Sequence, residues 1–324
     1  MGNYNLVYQA AIWLLTKLPL EPLHAYKALS TVFDYGLAVS AGLLTGKLAG
    51  EQKDWKALGA YSTVLFLPTV FLNSCAWAQC DSIFCTFGIL ALLQLVKEKY
   101  PSAMVLLGLS FACKLQAVFF LPVFLFVYYR QRKFSVLQFA LIPGATLLTG
   151  LPMMVFGRNI LDTFRIYFQQ TETYPYMSMN YPTPWLLLTH EQVGAEYRLL
   201  GKAAMVITVA VLAALMVMWL RHNVQAKGKN ILMMAFLLAY SCVLLLPSMH
   251  ERYGYPCEIM AVALAVLMPK TLPLCAGLVG ISLCTYGSYL FDNEVFSLQL
   301  LAVANLAVYS GYVWYLNRKM LKHE

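Results

Sequence analysis

The amino-acid sequence predicts an all-α fold, a polytopic transmembrane helical bundle of about eleven spans with a long outer-face loop, carried in a single domain over residues 1–324. Three observations predict it. The chain is 60% hydrophobic and 12% charged, where a soluble domain carries roughly 25% charged residues. Apolar stretches recur from end to end, separated by short polar breaks. Assigning alternate breaks to opposite sides of a membrane also sorts the basic residues. Fifteen of the 23 Lys and Arg residues fall on one side, and eight (Lys17, Lys27, Lys114, Arg158, Arg165, Arg198, Lys202 and Arg252) on the other. By the positive-inside rule the richer side is cytoplasmic. The formal charge of +8 is thus mostly a topology signal, and no nucleic-acid partner is expected.

Residues 1–27 are broken by Pro19 and Pro22 and are too polar to span, which predicts a short surface-lying helix. Spans are then expected at about 28–46, 57–72, 82–96, 101–113, 115–129, 135–156, 200–220, 230–247, 255–268, 272–290 and 296–316. Several fall short of the ~20 residues a straight crossing needs, so those must be bent or half-buried. The eight cysteines, at 75, 80, 85, 113, 242, 257, 275 and 284, lie in or beside apolar runs. With no C-x-x-C pair and no His at zinc-ligand spacing, they read as small packing hydrophobes, and no metal is expected. Residues 1–16 lack the basic leading segment and small-residue exit of a cleavable signal. An odd number of spans with the C-terminus inside would start residue 1 on the outside, an awkward topology without a signal.

Asp34 lies within an apolar run, where it pairs with a neighbouring span or marks the outer third of its helix. The stretch Asn73-Ser74-Cys75-Ala76-Trp77-Ala78-Gln79-Cys80-Asp81 is polar where apolar runs flank it on both sides. Such groups near a bilayer cost several kcal/mol each unless paired or used, so this is the first functional candidate. A helix N-terminus capped by Asp81 or Ser82 is the plainer reading, and both can hold together. Lys114-Leu115-Gln116 breaks what is otherwise one apolar hairpin. A lysine there pairs with a carboxylate, binds a phosphate as a point charge, or snorkels to the outer interface.

The segment 157–199 is the longest non-apolar stretch and is expected to form the outer loop. It interleaves aromatics with amides and hydroxyls through Tyr174, Tyr176, Asn180 and Trp185, a mixture that suits sugar faces and hydroxyls, and equally suits anchoring to lipid headgroups. His250-Glu251-Arg252-Tyr253 follows Pro247 at the outer end of a span. Three consecutive ionisable residues at a membrane boundary form a site hypothesis. Arg252 is suited to a phosphate and His250 or Glu251 to proton transfer, with an interfacial salt bridge from Glu251 to Arg252 or Lys114 as the alternative. No second His stands at i+4 from His250, so this is no zincin motif. The cytoplasmic breaks carry no G-x-x-x-x-G-K-[ST] or G-x-G-x-x-G pattern. The chemistry is expected on the opposite side from ATP and sugar nucleotides.

Together these patches resemble the GT-C superfamily of integral-membrane glycosyltransferases. The closest groups are bacterial proteins related to the second GPI mannosyltransferase and the endoplasmic-reticulum glucosyltransferases of lipid-linked oligosaccharide assembly. The family pattern N-S-x-x-W-G-Q-x-D matches Asn73, Ser74, Trp77, Gln79 and Asp81, with Ala78 at the glycine position. A K-x-Q-A-like hairpin is similar to Lys114, Gln116 and Ala117, and M-H-E-R-Y-x-x-P matches Met249, His250, Glu251, Arg252, Tyr253 and Pro256. Gly2-Asn3-Tyr4-Asn5 resembles the family's G-x-Y-x-P-P-Y segment.

The resemblance implies transfer of a mannose- or glucose-class hexose from a polyprenyl-phosphate donor to a glycan or glycolipid acceptor on the outer face, with inversion and without a metal or other cofactor. Membrane lipids would be its surroundings, in a bacterial plasma membrane with the active face outward. Arg252, Lys114 and His250 would hold the leaving phosphate, while Asp81, with His250 and Glu251, would supply the acid–base groups. Asn73, Ser74, Trp77, Gln79, Gln116, Tyr174, Tyr176, Asn180, Trp185 and Tyr253 would contact substrate. Family members carry a catalytic Asp upstream of the segment that Gly2 to Tyr8 resembles, so a preceding span and outer loop are expected to be missing from this chain. A transporter or flippase of polyprenyl-linked saccharides is the alternative, as is a polymerase of them. The first should show inverted repeats and polar residues along several spans, and neither is clear. The second should place paired arginines in outer loops, where Arg158 and Arg165 are the one pair.

Overall fold

The computed structural model describes residues 5–173, 175–188 and 195–321. Among these the order is α1 (Leu6–Leu15), α2 (Pro22–Ala49), α3 (Lys53–Leu65), a single turn α4 (Pro68–Phe71), α5 (Asp81–Val96), α6 (Tyr100–Cys113) and α7 (Leu121–Gln131). There follow α8 (Leu141–Gly150), α9 (Asp162–Thr173), β1 (Ser178–Met179), α10 (Ala195–Arg221), α11 (Lys229–Leu245), β2 (Met249–His250), α12 (Tyr255–Leu267), α13 (Leu272–Phe291) and α14 (Leu298–Leu321).

The fold is helical and membrane-associated, but the expectation of about eleven spans fails. Among the described residues four helical stretches are long and apolar enough to cross a membrane: Pro22–Leu65, Val136–Phe156, Tyr197–Arg221 and Pro269–Phe291. The reason is length. α5, α6, α11 and α12 hold 16, 14, 17 and 13 residues. At 1.5 Å per residue even the 17-residue α11 covers only about 26 Å of a hydrocarbon core of about 30 Å. α14 has 24 residues, but Asn305, Tyr309, Tyr312 and Asn317 interrupt it. Nor is the fold purely α, since β1 and β2 pair in parallel. The expected outer loop 157–199 is also not one loop, because α9 and the start of α10 occupy much of it.

The chain divides into two compact units. The first is Met1–Val118 with Lys133–Thr173, and the second is Phe119–Arg132 with Tyr174–Glu324.

In the first unit α2 and α3 form a hairpin that turns at Gly50, whose φ of 68° only glycine adopts without strain. Gly42 and Gly46 lie one turn apart on α2, and a Cβ on either would stand 3.0 Å from Ala57. Small residues at this spacing let two helix backbones approach closely. α5 crosses α2 through hydroxyls that seek backbone carbonyls: Ser82 donates to Ser30 O at 3.1 Å and Thr86 to Phe33 O at 3.3 Å. α6 is tied to α5 by Ser110 donating to Phe84 O at 2.7 Å, and to α8 by Thr146 donating to Gly108 O at 2.9 Å. Asn5, buried at the head of α1, donates to Thr163 O on α9 at 3.0 Å.

In the second unit α11 is buried from Ile231 to Leu244 and α12 from Tyr255 to Ala265. An all-round apolar helix of this kind belongs in the middle of a layer. Trp219 on α10 is buried, its indole N–H donating to Asn317 on α14 at 2.7 Å and its ring meeting Phe126 on α7 edge-on at 5.4 Å. α10 also exposes Met205, Val206 and Val209, apolar side chains suited to lipid.

Candidate functional site

The polar stretch 73–81 joins α4 to α5 in the first unit, and its backbone explains how it works. Residues Leu72–Ala76 widen into one π-helical turn, closed by the Trp77 N–H on Leu72 O at 3.0 Å. Such a bulge re-aims side chains that a regular helix would stack. Ala78 then takes a left-handed φ of 57°, and the Gln79 N–H returns to Asn73 O at 2.9 Å. The strain at Ala78 accounts for glycine at this place in the resembling pattern, because glycine adopts the left-handed region freely.

The bulge sends its two polar side chains to two different carboxylates. Asn73 donates to Asp81 Oδ2 at 2.9 Å, while Ser74 donates to Asp34 Oδ2 on α2. Asp81 is 1% exposed and forms an ion pair with Lys114. Lys114 is extended at the end of α6, where that helix stops, and its ammonium lies 5.7 Å from the Phe84 ring centre. Asn73, Ser74, Asp81 and Lys114 therefore come together. Trp77 and Gln79 are half-buried on the same turn, and Gln116 is buried two residues beyond Lys114. Neither Asp81 nor Ser82 caps α5: the cap position is Cys80, which makes no side-chain capping bond, and Ser82 is spent on Ser30 O.

The second unit holds the other sequence candidates. β1 and β2 pair Ser178 with Met249 and Met179 with His250, the Glu251 N–H reaches Met179 O at 3.1 Å, and Asn180 bridges to His250. The aromatic segment and the His250–Tyr253 turn thus form one local structure across some seventy residues of sequence. Glu251, 1% exposed, accepts from Arg252 at 3.2 Å and lies 3.8 Å from His250 Nδ1. The ring of Tyr253 stands 5.0 Å from that of His250. Asn180 is exposed at a left-handed φ of 66° and Tyr176 is also exposed. Trp185 is buried, with its indole N–H donating to Leu245 O at 2.9 Å, and so anchors the segment. Burial pushes the neighbouring Tyr181 phenol well above its ordinary range. Tyr174 lies outside the described residues.

Sequence reasoning gave Asp34 no part in the site, although a lone carboxylate in an apolar run was its signal. It also missed Asn305, buried in α14, which donates to Pro182 O at 2.9 Å and accepts from Tyr240.

No curated protein sequence matches the chain significantly. A profile of glycosyltransferase family 87 matches residues 4–247, which takes in the Asn73–Asp81 stretch and Lys114 and ends two residues before Met249. With three quarters of its length covered by that profile, and with the bulge and ion pair inside the covered part, this chain belongs to glycosyltransferase family 87, of the GT-C superfamily.

Proposed function

We propose that the protein transfers a hexose of the mannose or glucose class from a polyprenyl-phosphate donor to an acceptor hydroxyl on the outer face of a bacterial plasma membrane, with inversion. The observation that carries this reading is the Asp81–Lys114 ion pair with Asn73, buried inside the part of the chain that matches the family. Inverting transfer needs a carboxylate beside the acceptor and a cation beside the leaving phosphate. In the proposed step the acceptor oxygen attacks the anomeric carbon from the face opposite the phosphate. The bond between that carbon and the phosphate oxygen breaks, polyprenyl phosphate leaves with the electron pair, and Asp81 takes the acceptor proton.

Lys114 has three N–H donors, so it can hold Asp81 with one and meet a phosphate oxygen with another. Gln79 and Gln116 are amides suited to sugar hydroxyls on the same unit. In the second unit Arg252, steadied by Glu251, is a further candidate for phosphate, with His250 beside it and Tyr176, Asn180, Trp185 and Tyr253 on the same local structure. The acceptor would be a glycan or glycolipid.

The test is turnover of a short-chain polyprenyl-phosphate mannose or glucose by the protein in lipid nanodiscs, with a membrane lipid extract as acceptor and the product anomer assigned by NMR. Asp81→Asn should lower kcat by about 100-fold, and Arg252→Ala should weaken donor use while leaving the protein folded. In sealed proteoliposomes, a donor that binds and crosses the membrane unchanged would instead identify a transporter.

A further inference from the structure

We propose that Asp34 is a positioning residue of the Asn73–Asp81 site, acting through Ser74 to hold the π-helical turn that delivers Asn73 to Asp81. The inference rests on the reading of that stretch as the transferase site. Asp34 stands in the middle of α2, 4% exposed, within a candidate span. A carboxylate in such a place is among the most expensive side chains to bury and needs a use. No cation pairs with it among the described residues. Its Oδ2 accepts from the Ser74 hydroxyl, and its Oδ1 has no partner there.

Holding α2 against α5 does not require Asp34. Ser82 and Thr86 already donate to the backbone carbonyls of Ser30 and Phe33. What Asp34 adds is a grip on the bulge. The Ser74 hydroxyl has a single hydrogen and three acceptors in reach: Asp34, Val70 O one turn earlier at 3.0 Å, and the weakly accepting Cys75 sulfur at 3.7 Å. Turned to Val70, it would serve only its own helix, as mid-helix serines commonly do. Turned to Asp34, it fixes the widened turn to α2. Cys75 follows the same direction, its sulfur 3.4 Å from the Thr31 hydroxyl on α2. With Ser74 and Cys75 held on that side, Asn73 faces the other way, onto Asp81. The contacts Asp34–Ser74 and Asn73–Asp81–Lys114 run from α2 through the bulge to α5 and α6 as one chain.

The experiment is peptide-level hydrogen exchange over residues 73–81 of the full chain in nanodiscs, alongside steady-state transfer. The proteins compared are wild type, Asp34→Asn, Asp34→Ala, Ser74→Ala and the double alanine variant. Removing a hydrogen bond to a charged group should speed exchange of the Trp77, Ala78 and Gln79 amides about 10-fold in each single alanine variant, with no further gain in the double. Asp34→Asn keeps an acceptor and should stay within roughly 3-fold of wild type. In transfer, the alanine variants should lose kcat about 10-fold with KM changed less than about 2-fold, because the acting carboxylate rather than donor binding is disturbed.

Wild-type exchange in Ser74→Ala, multiplicative effects in the double variant, or an asparagine variant as fast as the alanine would each overturn the proposal. Ser74→Ala decides alone if Asp34→Ala does not fold. A wild-type protein that transfers no hexose would sink the transferase reading, while the exchange data would still decide what Asp34 does to the turn.

Discussion

Replacing Lys114 by methionine isolates the ion pair with Asp81, because methionine keeps most of the apolar stem and removes the charge. Asp81, 1% exposed, would then be a buried carboxylate held by Asn73 at 2.9 Å but without its cation. Removing one partner of a buried pair costs about 3–5 kcal/mol. The retained Asn73 bond places this case at the lower end, and loss of the ammonium beside the Phe84 ring adds about 0.5–1 kcal/mol. For a unit of this size a total of about 3.5–4 kcal/mol corresponds to a Tm lower by roughly 7–16 °C.

The assay is thermal unfolding in nanodiscs at fixed scan rate and lipid composition. The control is the double variant Lys114→Met/Asp81→Leu. Replacing a buried pair by apolar residues of similar volume is often neutral or better, so at least half of the lost Tm should return. Two results would refute the reasoning. One is a Lys114→Met protein as stable as wild type. The other is a double variant no more stable than the single, which would mean that Lys114 packs rather than neutralises.

Two further substitutions test the backbone around this site. Ala78→Gly relieves a left-handed φ of 57° and should stabilise by about 1 kcal/mol; a lower Tm would show that the alanine methyl is needed in the loop. Gly108→Ala puts a Cβ 2.5 Å from Ile142 O and 2.8 Å from Ala145 Cβ, which should cost about 1–3 kcal/mol as α6 and α8 are forced apart; an unchanged Tm would contradict that close contact.

Local breaks were legible in the sequence and distances across it were not. The runs read at 82–96 and 101–113 became Asp81–Val96 and Tyr100–Cys113, because Lys97, Glu98, Lys99 and Pro101 are strong punctuation. The break at Lys114 appeared where that lysine stands. The span count went wrong because an apolar run reports burial, and α11 and α12 are buried against protein over lengths too short to cross. The β1–β2 pair has two residues on each side, too few to show a period of two. Asp34 and Ser74 are forty positions apart, and nothing local in either names the other. Sequence alone offers Glu251 either Arg252 or Lys114 as its ion-pair partner. The structure gives it Arg252, and gives Lys114 to Asp81.

Neither unit is a continuous piece of chain: the first is interrupted by Phe119–Arg132 and resumes through Lys133–Thr173. This bears on biogenesis. When residue 118 has just been added to the growing chain, α1 to α6 are made but α8 and α9 are not, so Gly108 lacks Thr146 and Asn5 lacks Thr163. At about 5–20 residues per second, residues 119–173 take roughly 3–11 s to synthesise. During that time the Asn5 amide N–H lacks its acceptor on Thr163, and the side of α6 that meets α8 lacks its neighbour. The first unit must therefore wait for about its last quarter, Lys133–Thr173, before it can close. No single cut in the sequence separates the two units: one after Thr173 leaves Phe119–Arg132 of the second unit on the first.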